Sequence, residues 1–472
     1  MEVTPELPVV VIGGGIAGLT AAREVRRRHP GRQVLVLEGS DRVGGKLRLE
    51  EVGGVTLDVG AESLLARRPE AVDLVRDVGL GDDLVHPATT KARIWSRGRL
   101  CPLPRSVMGI PGDLDDLRAS GILSAAGMAR VEGEPGLPRK ILDGDLSVGD
   151  LVVDRFGTEL LDRVVEPLLG GVYAGHAREI SARAAIPQVV ALLAGNPSLL
   201  HAAEDSLAAA SDDPVFAGIV GGVGRLPQEL ARGLDVRLGE PAIELRRTPE
   251  GFRVLHGSAY RPSSVDAAAV VVALPPPNAS RLLGPLAPAA ATVLAEVEVA
   301  SMAVVTMAFA AEQFPRVEGS GFLVPPVDGR SIKAATYSFR KWDWVCRAGA
   351  DKGLVHLRAS LGRHREEREL QRDDFELVDT VVVDLAAAIG LQSGPVDWHV
   401  QRWGGGLPQY AVGHLDRVAR IRSAVAAVPG LAVCGATYDG VGVPACIASA
   451  VAAADQVDRH LGVSGPQGTM GP

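Results

Sequence analysis

Three glycines spaced Gly13, Gly15 and Gly18, with Gly14, Ile16 and Ala17 between them, follow the apolar run Val9–Ile12 and open a helical stretch. In that setting the spacing suits the binding of an anion. Gly13 permits a tight turn, Gly15 lets backbone approach a pyrophosphate, and Gly18 lets the helix lie close on the strand, while the helix start offers unpaired N–H groups and a positive dipole. Glu38 stands twenty positions after Gly18, at the end of the next apolar run and just before Gly39. A carboxylate there can accept both ribose hydroxyls and repels a 2′-phosphate. A glycine turn alone fits many α/β proteins; together with Glu38 it points to an adenine dinucleotide, with FAD and NAD both still open.

Two further segments bear on that choice. Behind Glu38 come Asp41, Arg42, Val43, Gly44, Gly45 and Lys46, a second glycine turn with basic flanks that can meet cofactor phosphates. Near the other end, residues 435–444 (GATYDGVGVP) precede a helix expected over about 446–461, whose N-terminus after Gly442 and Val443 suits the edge of a flavin that becomes anionic on reduction. The second turn resembles the second fingerprint of the FAD-dependent amine-oxidase and desaturase superfamily, which selects FAD over NAD.

The elements around these segments read as α/β. Val9–Ile12, a helix over about 16–28 and Val34–Leu37 make a βαβ unit, and residues 65–90 carry an amphipathic helix ending at Gly79 and Gly81. Residues 91–205 read as a helical insertion punctuated by prolines. The run 267–274 reads as a buried parallel strand stopped by Pro275, Pro276 and Pro277, and 299–311 as a buried strand or core helix. The expected division is a FAD-binding domain in three parts (1–90, 206–277, 425–462), a helical domain (91–205), a mixed β-sheet substrate domain (278–424) and a disordered tail (463–472).

The 472 residues are 46% hydrophobic and 22% charged, with a formal net charge of −8 and no long basic run, which argues against a nucleic-acid partner. Four scattered cysteines offer no disulfide framework and suit a reducing cytoplasm. No signal peptide or bilayer-spanning stretch is expected, so stable membrane insertion is not. His176, His356 and His414 lack metal-ligand spacing, and no metal site is expected.

Several segments together resemble the bacterial protoporphyrinogen/coproporphyrinogen oxidase family over nearly the whole chain: residues 57–64 (LDVGAESL), 107–111 (VMGIP), 166–175 (EPLLGGVYAG), Arg402-Trp403, and 407–414 (LPQYAVGH). The chain departs from the pattern at Gly404, Gly405 and Gly406, where bulkier residues are expected after Trp403. The resemblance implies FAD contacts at Gly13 to Gly18, Glu38, Gly39, Arg42, Gly45, Lys46, Gly60, Ala61, Glu62, Ser63, Val236 (backbone to adenine), Trp403, Gly442 and Val443. It implies hydride transfer from a porphyrinogen meso carbon to flavin N5 in three two-electron steps, with O2 as acceptor and H2O2 as by-product, in haem biosynthesis. The flavin supplies the difficult chemistry, so no side chain is nominated as catalytic. Resemblance to actinobacterial members implies coproporphyrinogen III rather than protoporphyrinogen IX; apart from it, a cytoplasmic location and a monomer or homodimer are expected.

Substrate propionates call for cations. Arg67, Arg68, Lys91, Arg93, Arg97 and Arg99 fall in a suitable stretch, each of them equally readable as a solvated charge. Tyr173, Tyr410, Tyr438 and Trp403 could line an apolar pocket or simply fill the core. Competing readings are another flavin oxidase of the superfamily, acting on an amine (Lys333 being a candidate flavin-side lysine) or a polyene, and a binding protein that keeps the dinucleotide fold without redox chemistry.

Overall fold

The computed structural model describes residues 6–464 apart from 212 and 259. Val9–Ile12 lies at the centre of a five-stranded parallel sheet in the order Asp235–Arg237, Val34–Leu37, Val9–Ile12, Ala269–Val272, Leu431–Val433. Three distant stretches of chain thus build one sheet. The inner strands are apolar at every position because both faces are covered. On one face pack the first helix, Ile16–Arg28, and the last, Val443–Ser464, which also touch each other. The other face carries an antiparallel meander (Ala242–Thr248, Gly251–Ser258, Arg261–Ala267) and the helices Pro276–Leu283, Pro288–Ala295 and His414–Ala426.

A second sheet has seven strands, in the order Asp397–Pro408, Val299–Ala310, Leu354–Leu361, Ile332–Thr336, Gly321–Leu323, Ala92–Ser96, Arg99–Pro102. Every pairing is antiparallel except that of Gly321–Leu323 with Ala92–Ser96. A helical layer from Leu114–Ser120 to Leu199–Ala208 closes the molecule. The architecture is α/β: a parallel dinucleotide-type sheet interleaved with a mixed sheet and a helical layer.

Some expectations need correction. Residues 91–205 do not begin as helix: Ala92–Ser96 and Arg99–Pro102 join the seven-stranded sheet, and Ser106–Val107 pairs with Ile110–Pro111. Strands of four or five residues carry too little alternation to stand out; Ala92–Ser96 joins the sheet through Gly321–Leu323, more than two hundred residues on, and Arg99–Pro102 follows it as a hairpin partner. The helix expected within 65–90 is only Pro69–Asp77, with Gly79 beyond it at φ +84°. The last helix starts three residues earlier than expected because Pro444 falls in its first turn, where its missing N–H costs nothing. It also runs on to Ser464, so 463 and 464 are helical rather than tail; 465–472 lie outside the described residues.

Inside the helical layer Arg155 and Glu134 are almost wholly buried and ion-paired. Glu134 also accepts from Ser198 Oγ (2.6 Å), Leu199 N (2.9 Å) and Leu200 N (3.3 Å), capping the helix Leu199–Ala208. Among the described residues no helix is long and apolar enough to cross a membrane.

Candidate active site

The first glycine turn is shaped by contact. Gly13 sits at φ +110°, and a Cβ on Gly18 would lie 1.9 Å from the Gly13 carbonyl oxygen, so only glycine lets this helix meet its strand. Gly15 is different. A Cβ there would meet nothing nearer than the Gly45 Cα at 4.0 Å, and no side chain caps the helix that Gly15 begins. The second turn faces it: Gly44 N donates to Gly14 O (2.8 Å), and Gly15 and Gly44 form a parallel bridge. Between them lies a cleft edged by backbone and a helix N-terminus.

Glu38 closes one end, accepting from Gly14 N (2.6 Å) and Ser40 N (2.8 Å). Each oxygen keeps a further lone pair for a ribose hydroxyl. Val236 lies in the edge strand beside Val34–Leu37, paired with Val36 on one side only, and Gly39 packs on Pro241. Arg42 donates to Val43 O (3.2 Å) and Gly45 O (2.9 Å), bracing the second turn. Burial lowers the pKa of Lys46, whose ammonium has no hydrogen-bond or ion-pair partner among the described residues. Cys446, in the first turn of the last helix, is close enough to interact with it electrostatically. The last helix therefore begins beside the second glycine turn, with Gly442 O accepting from Cys446 N (3.0 Å). These residues fit FAD: a cradle that a Cβ would fill, a helix end with uncapped donors, and a cation without a protein anion.

The loop 58–63 links this cleft to the seven-stranded sheet. A Cβ on Gly60 would fall 1.9 Å from Lys46 O, and Ala61 N donates to that oxygen (3.1 Å). Arg358 donates to Asp58 O (3.1 Å) and Gly60 O (2.7 Å), and with Lys341 (2.5 Å) it flanks the Glu62 carboxylate. Burial alone would raise the Glu62 pKa, but Lys341 and Arg358 outweigh it and hold it low. Ser63 precedes the short strand Leu64–Leu65. Trp403 stands over Gly60, its Nε1 3.4 Å from Val59 O. The three glycines after it lie in the strand Asp397–Pro408, where Gly405 at φ +56° donates to Ser301 Oγ (3.1 Å).

Arg358, Lys341 and Asp58 carry this arrangement; Asp58 falls in the segment 57–64 without an expected role, and Arg358 and Lys341 belong to no motif. Asp58 is buried and accepts from Val223 N and Gly224 N, fixing a third glycine loop; burial pushes its pKa up to about 7. Arg358 did leave a signal: it is the lone permanent charge in the apolar strand Leu354–Leu361.

The candidate propionate cations do not gather here. Arg67 donates to Ser211 O and Asp213 O, Arg68 pairs with Glu70, and Lys91 is exposed. Arg97 pairs with Glu159, and Arg99 donates to Gly121 O. Arg93 pairs with Glu318 (2.6 Å), and its register with Phe322 turns it to the face of the sheet opposite Arg358. A surface cavity of about 660 Å³ lies on that opposite face, bounded by Arg93, Phe314, Tyr337 and Phe339. Tyr173 and Tyr438 are buried, Tyr173 against Tyr410 at 5.5 Å and Tyr438 in the core beneath the parallel sheet.

His414 stacks on Tyr410 at 4.0 Å, and its Nε2 lies 2.9 Å from Thr437 O, in the loop before the last helix. Burial lowers its pKa to about 4. Because the folded-state value lies below the ordinary 6.5, the stability that neutral His414 supplies is complete above pH 6.5 and is lost as pH falls toward 4. His414→Phe should therefore flatten part of the decline in Tm between pH 6.5 and 4; an unchanged slope would remove His414 from the acid response.

The family model for flavin containing amine oxidoreductases matches residues 16–458. The chain is similar to the coproporphyrinogen III oxidase of Mycobacterium tuberculosis (37% identical over 456 residues, 96% of this chain and 97% of that one). It is also similar to the enzyme of that name from Bacillus subtilis (31% over 471 residues, 96% and 98%). A solved structure from Exiguobacterium sp. 255-15 superposes with a TM-score of 0.86 at 32% identity, covering 97% of this chain and 99% of that one. Matches of that extent make this a redox enzyme rather than a silent binding protein, with FAD as its cofactor, and the chain belongs to the flavin containing amine oxidoreductase family.

Proposed function

We propose that this enzyme oxidises coproporphyrinogen III to coproporphyrin III in haem biosynthesis, with O2 as acceptor and H2O2 as by-product. What carries the reading is that one place joins the dinucleotide cleft, the loop 58–63 and one face of the seven-stranded sheet. Near-complete coverage of relatives bearing that name supports the choice of substrate.

In this proposal the backbone N–H groups at Gly15 to Ala17 and the Lys46 ammonium meet the pyrophosphate, with Arg42 bracing the turn that carries Gly45. Glu38 holds the ribose, and the edge of the strand at Val236 meets the adenine. The start of the last helix at Gly442 and Val443 and the loop 60–63 flank the isoalloxazine, with Trp403 steadying that loop. FAD, when bound, would supply the acceptor for a hydride, that is a proton with two electrons, from a meso carbon. The protein's part is placement and the exclusion of water. Arg358 serves placement by tying the loop to the sheet at two carbonyls. On the same sheet face, by register, lie Met302, Ala334, Thr336, Ser360 and Leu323, apolar or small residues suited to a flat macrocycle.

The test compares kcat/KM for coproporphyrinogen III and protoporphyrinogen IX under air, following porphyrin fluorescence and peroxide. Coproporphyrinogen III should be preferred, with peroxide formed alongside porphyrin. A clear preference for protoporphyrinogen IX would reassign the substrate, and porphyrin formation without peroxide would reassign the acceptor.

A further inference from the structure

Lys333, the lysine that an amine-oxidising relative would place beside the flavin, makes no contact with the dinucleotide cleft or the loop 58–63 among the described residues. Lys333 is 2% exposed, and its Nζ has no hydrogen-bond partner. It sits at an irregularity of the sheet: Ile332 pairs with Leu361 and Ala334 with Ser360, so Lys333 is the extra residue of a bulge. Bulges re-aim side chains, and they occur often beside active sites.

Its neighbour is another cation in need of partners: Val324 N donates to Lys333 O (2.8 Å), and Val324 O accepts from Arg363. Arg363, 6% exposed, makes one long bond to Val324 O (3.4 Å) and one loose ion pair, 3.8 Å from the half-exposed Glu366. Glu166 and Glu369 also face it electrostatically. A guanidinium has five donors and an ammonium three. Glu366 faces Lys333 as well, so charge is roughly balanced here, but none of these carboxylates hydrogen-bonds the ammonium; buried donors are left in excess, and an added carboxylate would serve them.

The location suits the substrate proposed above. From Lys333 it is three residues along the strand to Thr336, which pairs with Arg358, the brace of the loop 58–63; at the usual rise that is about 10 Å. Against this strand and Gly321–Leu323 packs the helix Glu166–Tyr173, where Gly171 is exposed and lies next to Leu323. A carboxylate entering between helix and strands would be met by rotation of the flexible four-carbon lysine stem.

We propose that Lys333 and Arg363 form the anchor for one carboxylate of the substrate, fixing which edge of the macrocycle lies away from the cofactor. The assignment rests on the porphyrinogen reading for the identity of the ligand. It differs from the six cations expected to meet propionates, which are exposed, paired or turned to the other sheet face.

The test compares flavin-loaded wild type, Lys333→Met and Lys333→Arg. Methionine should fold at least as well, since it removes an unpaired buried amine. For coproporphyrinogen III, Lys333→Met should raise KM about tenfold to a hundredfold, the loss of one charge-assisted contact, with kcat within about twofold and flavin content unchanged. Lys333→Arg should recover most of the loss. With the tetramethyl ester of the same porphyrinogen, wild type and Lys333→Met should give equal KM. An unchanged KM in Lys333→Met, or an equal rise with the ester, would overturn the anchor. Binding of coproporphyrin III, read by fluorescence, separates the two proposals. A wild type that turns over no porphyrinogen counts against the function, whereas equal affinity of wild type and Lys333→Met for this tetracarboxylate counts against the anchor.

Discussion

Gly15→Ala should fold normally and lose its flavin. Gly15 has φ −76° and ψ 179°, extended backbone that alanine adopts freely, and its Cβ would point into the cleft, 4.0 Å from the nearest protein atom. The unfolded chain loses some freedom, so the apoprotein should be as stable as wild type or slightly more so. A methyl group there occupies the space of a pyrophosphate oxygen. Losing one or two charge-assisted bonds of about 1.5–3 kcal/mol each weakens FAD binding by roughly tenfold to a thousandfold or more. Gly18→Ala is the contrasting control. Its Cβ would strike the Gly13 carbonyl at 1.9 Å, so stability itself should fall, by about 1–3 kcal/mol or more. Equilibrium titration of apoprotein with FAD, beside urea unfolding of the same samples, separates the two. Normal FAD affinity in Gly15→Ala would show that the cleft is not the phosphate site.

Glu134→Ala should be the most damaging single change to stability, costing about 3–5 kcal/mol. It strands the Arg155 guanidinium, 2% exposed, with only the carbonyls of Pro138 and Pro197, and it uncaps Leu199 N and Leu200 N. Burial by itself would push the Glu134 carboxyl up, yet the bonds from Ser198, Leu199 and Arg155 hold it below the usual carboxylate range. With the folded value depressed, its stabilisation is present above the unfolded pKa and fades as pH falls through the folded one. The double change Glu134→Leu with Arg155→Leu should cost less than Glu134→Ala alone, because it leaves no unpaired buried charge. Urea midpoints for both variants provide the check; a double variant weaker than the single would place the loss in packing rather than in the stranded charge.

What the sequence made legible is what its signals make local. Val9–Ile12, Ile16–Arg28 and Val34–Leu37 fall where periodicity puts them, since an apolar strand, a glycine turn and a helix are written in consecutive residues. The approach of Glu38 to Gly14 follows from the same short stretch. Arg358, by contrast, reaches residues about three hundred positions away, and nothing near it in sequence names Asp58 or Gly60 as its partners. The strand Ala92–Ser96 joins its sheet through a similarly distant partner, Gly321–Leu323, whereas Arg99–Pro102 pairs locally with it across Arg97 and Gly98 and is too short to show a period. Choosing propionate cations by their place in the chain found paired surface arginines, whereas Lys333 stood out in sequence only for a flavin-side role, and its unmet donors appear once the sheet is formed.

The account centres on one contact: a reduced tetrapyrrole meeting the flavin held between the two glycine turns and the last helix. It is tested most directly by mixing the oxidised, flavin-loaded enzyme with coproporphyrinogen III without oxygen and following the flavin absorption band. The band should bleach within a turnover time and return when air is admitted. A flavin that stays oxidised in the presence of excess porphyrinogen would contradict it.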